Sequence, residues 1–103
     1  MRLAYKLLAL LVAIMCVTYT QAQVVPDFTP NTFSACPPAT IIFTNTSTGS
    51  AKSFSWTFGN GNSSNFIDAS TIYDRPGIFN VTLTAVDGAG VSTSVSKQIT
   101  IYK

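Results

Sequence analysis

Over the second half of the chain, apolar and polar residues alternate one for one. Ser53-Phe54-Ser55-Trp56-Thr57-Phe58 sets Phe54, Trp56 and Phe58 on one side and small hydroxyls on the other. Successive side chains of a β-strand point to opposite faces, so this run predicts a strand with one buried face. Gly77 to Asp87 is the longest alternating run, with Phe79, Val81, Leu83 and Ala85 opposed to Asn80, Thr82 and Thr84. Val91 to Tyr102 predicts the last strand, with Val91, Val95, Ile99 and Ile101 in one row. Lys97 falls in that inward row. It requires either a bulge that shifts the register or a place at a sheet edge, where charge discourages edge-to-edge pairing, and the edge is the better reading. Ala39 to Asn45, with Ile41 and Phe43 on one face, and Ile67 to Tyr73, a short edge strand, complete the pattern.

The segments between these runs carry turn chemistry. Asp27 to Cys36 is an extended, proline-punctuated approach that Pro37-Pro38 closes. Thr46 to Ser50 is a turn around Gly49, and Gly59-Asn60-Gly61-Asn62 is a run of residues that tolerate positive φ and suit a tight, irregular loop. Asp87-Gly88-Ala89-Gly90 predicts a hairpin turn. Past the leader described next, nothing shows a 3.6-residue apolar period. Short strands at this spacing predict an all-β fold, an immunoglobulin-like antiparallel β-sandwich of about seven strands.

The first residues read differently. Arg2 and Lys6 precede an unbroken apolar run from Leu7 to Val17, and Thr20 and Ala22 then stand like a small-x-small cleavage site. This predicts a helical secretory signal peptide over residues 1–22, ahead of one domain over 23–103. The run has 11 residues, against the about 20 that a bilayer-spanning helix needs, so no transmembrane anchor is expected in the mature chain. A lipid anchor on Cys16 would need a small residue where Met15 stands.

Removing the leader changes the charge. The whole chain carries +2, yet Arg2 and Lys6 supply that excess, and the four remaining basic residues balance the four aspartates. A neutral domain has no basic footprint for nucleic acid and no field to steer it to anionic lipid. Cys36 is then the one remaining cysteine and cannot close an internal disulfide. In an oxidising compartment it is buried and inert, paired with another chain, or left without its partner; burial is the favoured reading, because free cysteine is among the most buried residue types. The chain has no histidine, which removes the usual general base, Ser-His and Cys-His nucleophile pairs, and imidazole metal ligands. An enzyme would have to work with a Ser or Asp site alone, and none is expected.

Taken in order and spacing, Phe43-Thr44-Asn45-Thr46-Ser47-Thr48-Gly49, Ser55-Trp56-Thr57-Phe58-Gly59-Asn60-Gly61 and Tyr73-Asp74-Arg75-Pro76-Gly77-Ile78-Phe79-Asn80-Val81-Thr82-Leu83 resemble the PKD (polycystic kidney disease) domain. The hallmark of that family is W-D-F-G-D-G followed by Y-x-x-P-G-x-Y-x-V-x-L. The resemblance covers nearly all of Phe28 to Tyr102. It implies a seven-stranded sandwich, one module among several in secreted or surface proteins, serving as spacer, interaction unit or helper of polysaccharide- and protein-degrading enzymes. It also makes Trp56, Phe58, Gly59, Gly61, Tyr73, Pro76 and Gly77 structural motif residues, with Trp56 in the core rather than a sugar-stacking platform. The Tyr73 hydroxyl is expected on a nearby backbone group. Some relatives bind calcium, but Thr57 and Asn60 stand where the family usually has aspartates, and Asp27, Asp68, Asp74 and Asp87 are scattered singly. They read better as turn formers, and neither metal nor cofactor is expected.

Phe66 follows the polar run Asn60 to Asn65, and no alternation claims it for the core. With Tyr102 it is the candidate contact residue. The expected function is a non-catalytic extracellular interaction or spacer module, part of or derived from a multidomain secreted or cell-surface protein. Its partner would be a protein or polysaccharide at the cell surface. The alternative is a carbohydrate-binding accessory module of a secreted polysaccharide- or protein-degrading enzyme.

Overall fold

The structure, a computed structural model, describes residues 23–103; the signal-peptide reading of 1–22 lies outside the described residues. The strands are β1 (Phe28–Pro30), β2 (Ser34–Ala35), β3 (Ala39–Asn45), β4 (Ala51–Thr57), β5 (Ser63–Ser64), β6 (Ala69–Tyr73), β7 (Gly77–Asp87) and β8 (Ser92–Ile101). They form two sheets, one ordered β1-β3-β6 and one ordered β2-β8-β7-β4-β5. The fold is the expected all-β sandwich, with eight strands where about seven were expected, because β2 and β5 are two-residue pairings.

The alternating runs become the sheets' inner faces. Ile41 and Phe43 from β3, Trp56 from β4, Val81 and Leu83 from β7 and Ile99 and Ile101 from β8 are buried in one core with Phe28 and Phe58. Aromatic rings fill its middle. Trp56 packs edge-on to Phe28 at 5.2 Å between centroids and lies nearly parallel to Phe58 at 6.2 Å, and Phe43 stacks on Phe58 at 5.5 Å. Offset and edge-to-face contacts of this kind add to the gain from burial alone. Phe54, on the same face, is only half-buried at the rim of that core.

Lys97 shows how an inward charge is tolerated. The β7–β8 register runs without a shift from Gly77↔Ile101 to Val86↔Ser92, so no bulge occurs there. β2 covers β8 only at Thr100 and Ile101, which leaves Lys97 on a bare edge, as the sequence reading favoured. Its ammonium reaches past the Phe28 ring, donates to the Phe28 carbonyl and pairs with the Asp27 carboxylate at 2.9 Å. The apolar stem covers core while the charged head stays paired at the rim. β1 is thereby tied to β8 across the two sheets.

This tie sets a pH dependence. The hydrogen bond from Lys97, then that from the Phe28 N–H, hold the Asp27 carboxyl below its ordinary value of 3.8, with desolvation opposing. A depressed carboxyl contributes stability that is fully present above the unfolded value and lost as pH falls through the folded one. Melting temperature is therefore expected to drop below about pH 4 more steeply in the natural chain than in Lys97→Met. Parallel acid profiles of the two in a thermal-denaturation series would refute the assignment.

Two expectations are corrected. Cys36 is exposed, not buried, because β2 ends at Ala35 and Pro37-Pro38 carries the chain between the sheets with the thiol on the outside. Val91 is 56% exposed. It lies in the turn, where Asp87 Oδ1 accepts from its N–H at 3.0 Å and its carbonyl accepts from the Asp87 N–H at 3.0 Å.

Candidate functional site

The motif residues converge where β4 leaves its sheet. Trp56 is fully buried, and its indole N–H donates to the Phe66 carbonyl at 2.9 Å. Phe58 sits below it in the core, and the Tyr73 hydroxyl donates to the Phe58 carbonyl at 2.7 Å. Burial pushes the Tyr73 phenol up to about 12, so it stays a neutral donor. Gly59 has φ +79°, and a Cβ there would lie 2.8 Å from the Asn80 carbonyl oxygen. Gly61, at φ +91°, faces open space. Pro76 lies in the exposed turn between β6 and β7, and Gly77 opens β7 beneath the Phe79 ring, which packs on Tyr73 at 4.6 Å.

Asn60 is the position that departs most instructively from the hallmark. Its Nδ2 donates to Thr71 Oγ1 at 3.0 Å and to the Ile72 carbonyl at 3.1 Å, while its Oδ1 accepts from the Asn62 N–H at 3.1 Å. A carboxylate would keep the Asn62 bond and accept from the Thr71 hydroxyl, but it would lose the donor to the Ile72 carbonyl and face that oxygen. Asn60→Asp is therefore expected to cost about 1–3 kcal/mol in urea unfolding; an unchanged midpoint would show that the amide's donors contribute nothing. Thr57 is exposed on the outer face of β4, paired with Ser63 and Thr82.

The aspartates are individually committed elsewhere. Asp68 Oδ1 accepts from the Asn45 N–H at 2.8 Å, and Asp87 Oδ1 accepts from the N–H groups of Ala89 and Val91. Asp27 holds Lys97. Asp74 is exposed, 3.8 Å from Arg75. Among the described residues no group of three or more His, Cys, Asp or Glu side chains comes together.

Phe66 is 77% exposed although its carbonyl is fixed to the core tryptophan. Its ring lines a shallow depression with Ile42, Ser63, Ser64 and Ser70. A second depression, lined by Asn62, Thr71 and Ile72, continues from Ser63 and Ser70 along the open side of β6. Tyr102 is 55% exposed, but its N–H bonds to Ala35 beside β2, at the opposite edge of the five-stranded sheet from β5. The two candidate contact residues do not share a surface. The residues that do surround Phe66 escaped the sequence reading, although one signal was there: Ile42 and Ile72 are large apolar residues at outward positions of their strands and are more than half exposed.

The fold has counterparts among known proteins. The sequence pattern of the PKD domain matches residues 23–101. No curated protein matches the chain. Among solved structures, the PKD1 domain of Vibrio anguillarum Epp aligns at 24% identity with a TM-score of 0.69, covering 81% of this chain and 98% of that one. The PKD1 domain of the Vibrio cholerae metalloprotease PrtV aligns at 27% identity with a TM-score of 0.68, covering 80% and 100%. A structure of carbohydrate-binding modules from the β-sandwich superfamily aligns at 20% identity with a TM-score of 0.73, covering 82% of this chain and 36% of that one. PKD domains are non-catalytic modules. A sandwich built on a buried Trp56, a Tyr73 hydroxyl tied to the Phe58 carbonyl and a left-handed Gly59, matched over residues 23–101, places this chain in the PKD-domain family.

Proposed function

We propose that this protein is an exported, non-catalytic module that meets an extracellular protein through the Phe66 side of its sandwich and otherwise serves as a rigid spacer. The observation that carries this reading is the anchoring of Phe66. Its main chain is locked to the core through Trp56 while its ring stands 77% in solvent. A rigidly held, exposed aromatic contributes contact area at little further entropic cost on binding, and such residues are enriched at interfaces. The leader over residues 1–22 supports export. N-terminal sequencing of protein recovered outside the cell is expected to begin at Gln23.

Phe66→Ala is expected to leave the melting temperature nearly unchanged and to reduce retention of the protein at the cell surface, measured by fractionation. Undiminished retention would refute the assigned surface. The second reading, a carbohydrate-binding accessory module, is favoured by the likeness to carbohydrate-binding modules, by the serine hydroxyls around Phe66 and by the Asn62 carboxamide in the adjoining depression. Affinity electrophoresis through soluble glycans and pull-down on chitin and cellulose distinguish the two. Clean non-retention eliminates the carbohydrate reading.

A further inference from the structure

The smaller sheet has three strands and ends at β6. The constant-type immunoglobulin sandwich sets a four-stranded sheet against a three-stranded one. Here the chain after β4 makes its short strand β5 with β4 itself, so the β1-β3-β6 sheet ends at β6. The direction of the free backbone groups follows from the register. The Ile42 carbonyl accepts from the Asn31 N–H at 2.9 Å, and the Ile42 N–H donates to Asn31 Oδ1 at 3.0 Å, so both Ile42 groups point toward the β1 side. Ala39, Ile41 and Phe43 therefore point toward β6, where they pair with Tyr73, Thr71 and Ala69. Backbone groups alternate sides along an antiparallel strand. Those of Ser70 and Ile72 consequently face away from β3, into the depressions between β6 and β5, and the bond from Asn60 Nδ2 to the Ile72 carbonyl places that group on this side.

We infer that the open side of β6 takes up an extended polypeptide segment from a partner protein as the fourth strand of the small sheet. The inference rests on the proposed role of the Phe66 side as a contact surface and states what that surface recognises. Ser70 offers a donor and an acceptor, and Ile72 offers a further donor, one strand repeat apart along one line; this is the template for another main chain. Asp68, the one carboxylate in the lining, already accepts the Asn45 N–H but keeps its charge, which disfavours an acidic segment. The fitting segment is free of acidic residues, with small hydroxyl- or amide-bearing residues turned toward Thr71 and Asn62 and an apolar residue turned outward beside Ile72. A second copy of this chain fits less well. Two-fold pairing about Thr71 would set Ser70 against Ile72 of the other copy and would require both Ile72 carbonyls, which Asn60 already occupies in each.

The test follows the amide signals of the purified, isotopically labelled protein by NMR during titration with a capped heptapeptide of alternating threonine and valine. A copy N-methylated at the residues facing β6 is the control. The Ser70 and Ile72 amides are expected to shift and to exchange about tenfold more slowly when about nine in ten molecules hold peptide, and the N-methylated peptide should produce neither effect. Ser70→Pro removes an N–H that β3 does not use, so it should fold and fail to bind. If Ser70→Pro does not fold, Ile72→Lys, which places a charge on the same edge, provides the same comparison. Three results would overturn the inference: unmoved Ser70 and Ile72 amides at millimolar peptide, equal binding of the N-methylated peptide, or protection of those amides without peptide in a species that sediments as a dimer. Loss of surface retention in Phe66→Ala together with unmoved Ser70 and Ile72 amides would remove strand addition and leave the contact surface standing.

Discussion

A Trp56→Ala chain is expected to lose about 3–5 kcal/mol of stability from a domain total of about 5–15. The residue is fully buried among Phe28, Phe43 and Phe58, and no neighbouring group can fill the space it leaves without breaking ring contacts at 5.2–6.2 Å. The loss has a second part, because the Phe66 carbonyl forfeits its indole donor and the loop that positions the Phe66 ring loses its anchor. At about 4–8 °C per kcal/mol for a domain of this size, melting should fall far enough to leave part of the population unfolded near growth temperature. Trp56→Phe retains most of the ring packing but not the donor. It should fall between the two and, if folded, show altered signals at Phe66. A Trp56→Ala melt within a few degrees of the natural chain would mean that the aromatic core is not what holds the sandwich.

The second large effect belongs to Gly59. Alanine there must hold φ near +79° and place its Cβ 2.8 Å from the Asn80 carbonyl oxygen and 3.1 Å from the Asn80 nitrogen. Backbone strain of this kind costs about 1–3 kcal/mol, and the clash is with backbone rather than a flexible side chain, so the loop and β7 must separate. Gly61→Ala is the matched control: φ is +91°, but a Cβ would meet nothing within 4 Å. Gly59→Ala is therefore expected to destabilise clearly more than Gly61→Ala in urea unfolding. Equal losses would show that only the left-handed backbone matters and that β7 yields freely.

Both predictions concern residues that stand out in the sequence, and the reason is local. Trp56 is the centre of a strict alternation, and β-pleating alone sends Phe54, Trp56 and Phe58 to one face. Lys97 was legible in part. Its inward phase followed from the same parity, but its partners, Asp27 and the Phe28 carbonyl, come from 69 to 70 positions away and could not be read from its neighbours. Cys36 went the other way. The general burial of free cysteine pointed inward, but the connection between β2 and β3 holds the thiol outside both sheets.

The candidate site was the least legible feature. Phe66 stood out because no periodic run claimed it, yet Ser63 and Ser64 looked like part of a polar loop, and a strand of two residues has no period to detect. Nothing local separated Tyr102, at the other edge of the larger sheet, from the surface around Phe66.

The sequence by itself determined the longer strands, their buried faces and the tight turns, because the pleat and positive φ act on a residue and its immediate neighbours. Tertiary structure alone decided which strand lies beside each edge, where Asn60 closes one backbone group and leaves others open, and which backbone groups of β6 face outward. Pairing joins residues far apart in the chain, so a charge such as Lys97 can mark an edge, but which backbone groups stay open is set by partners the strand's own residues do not name.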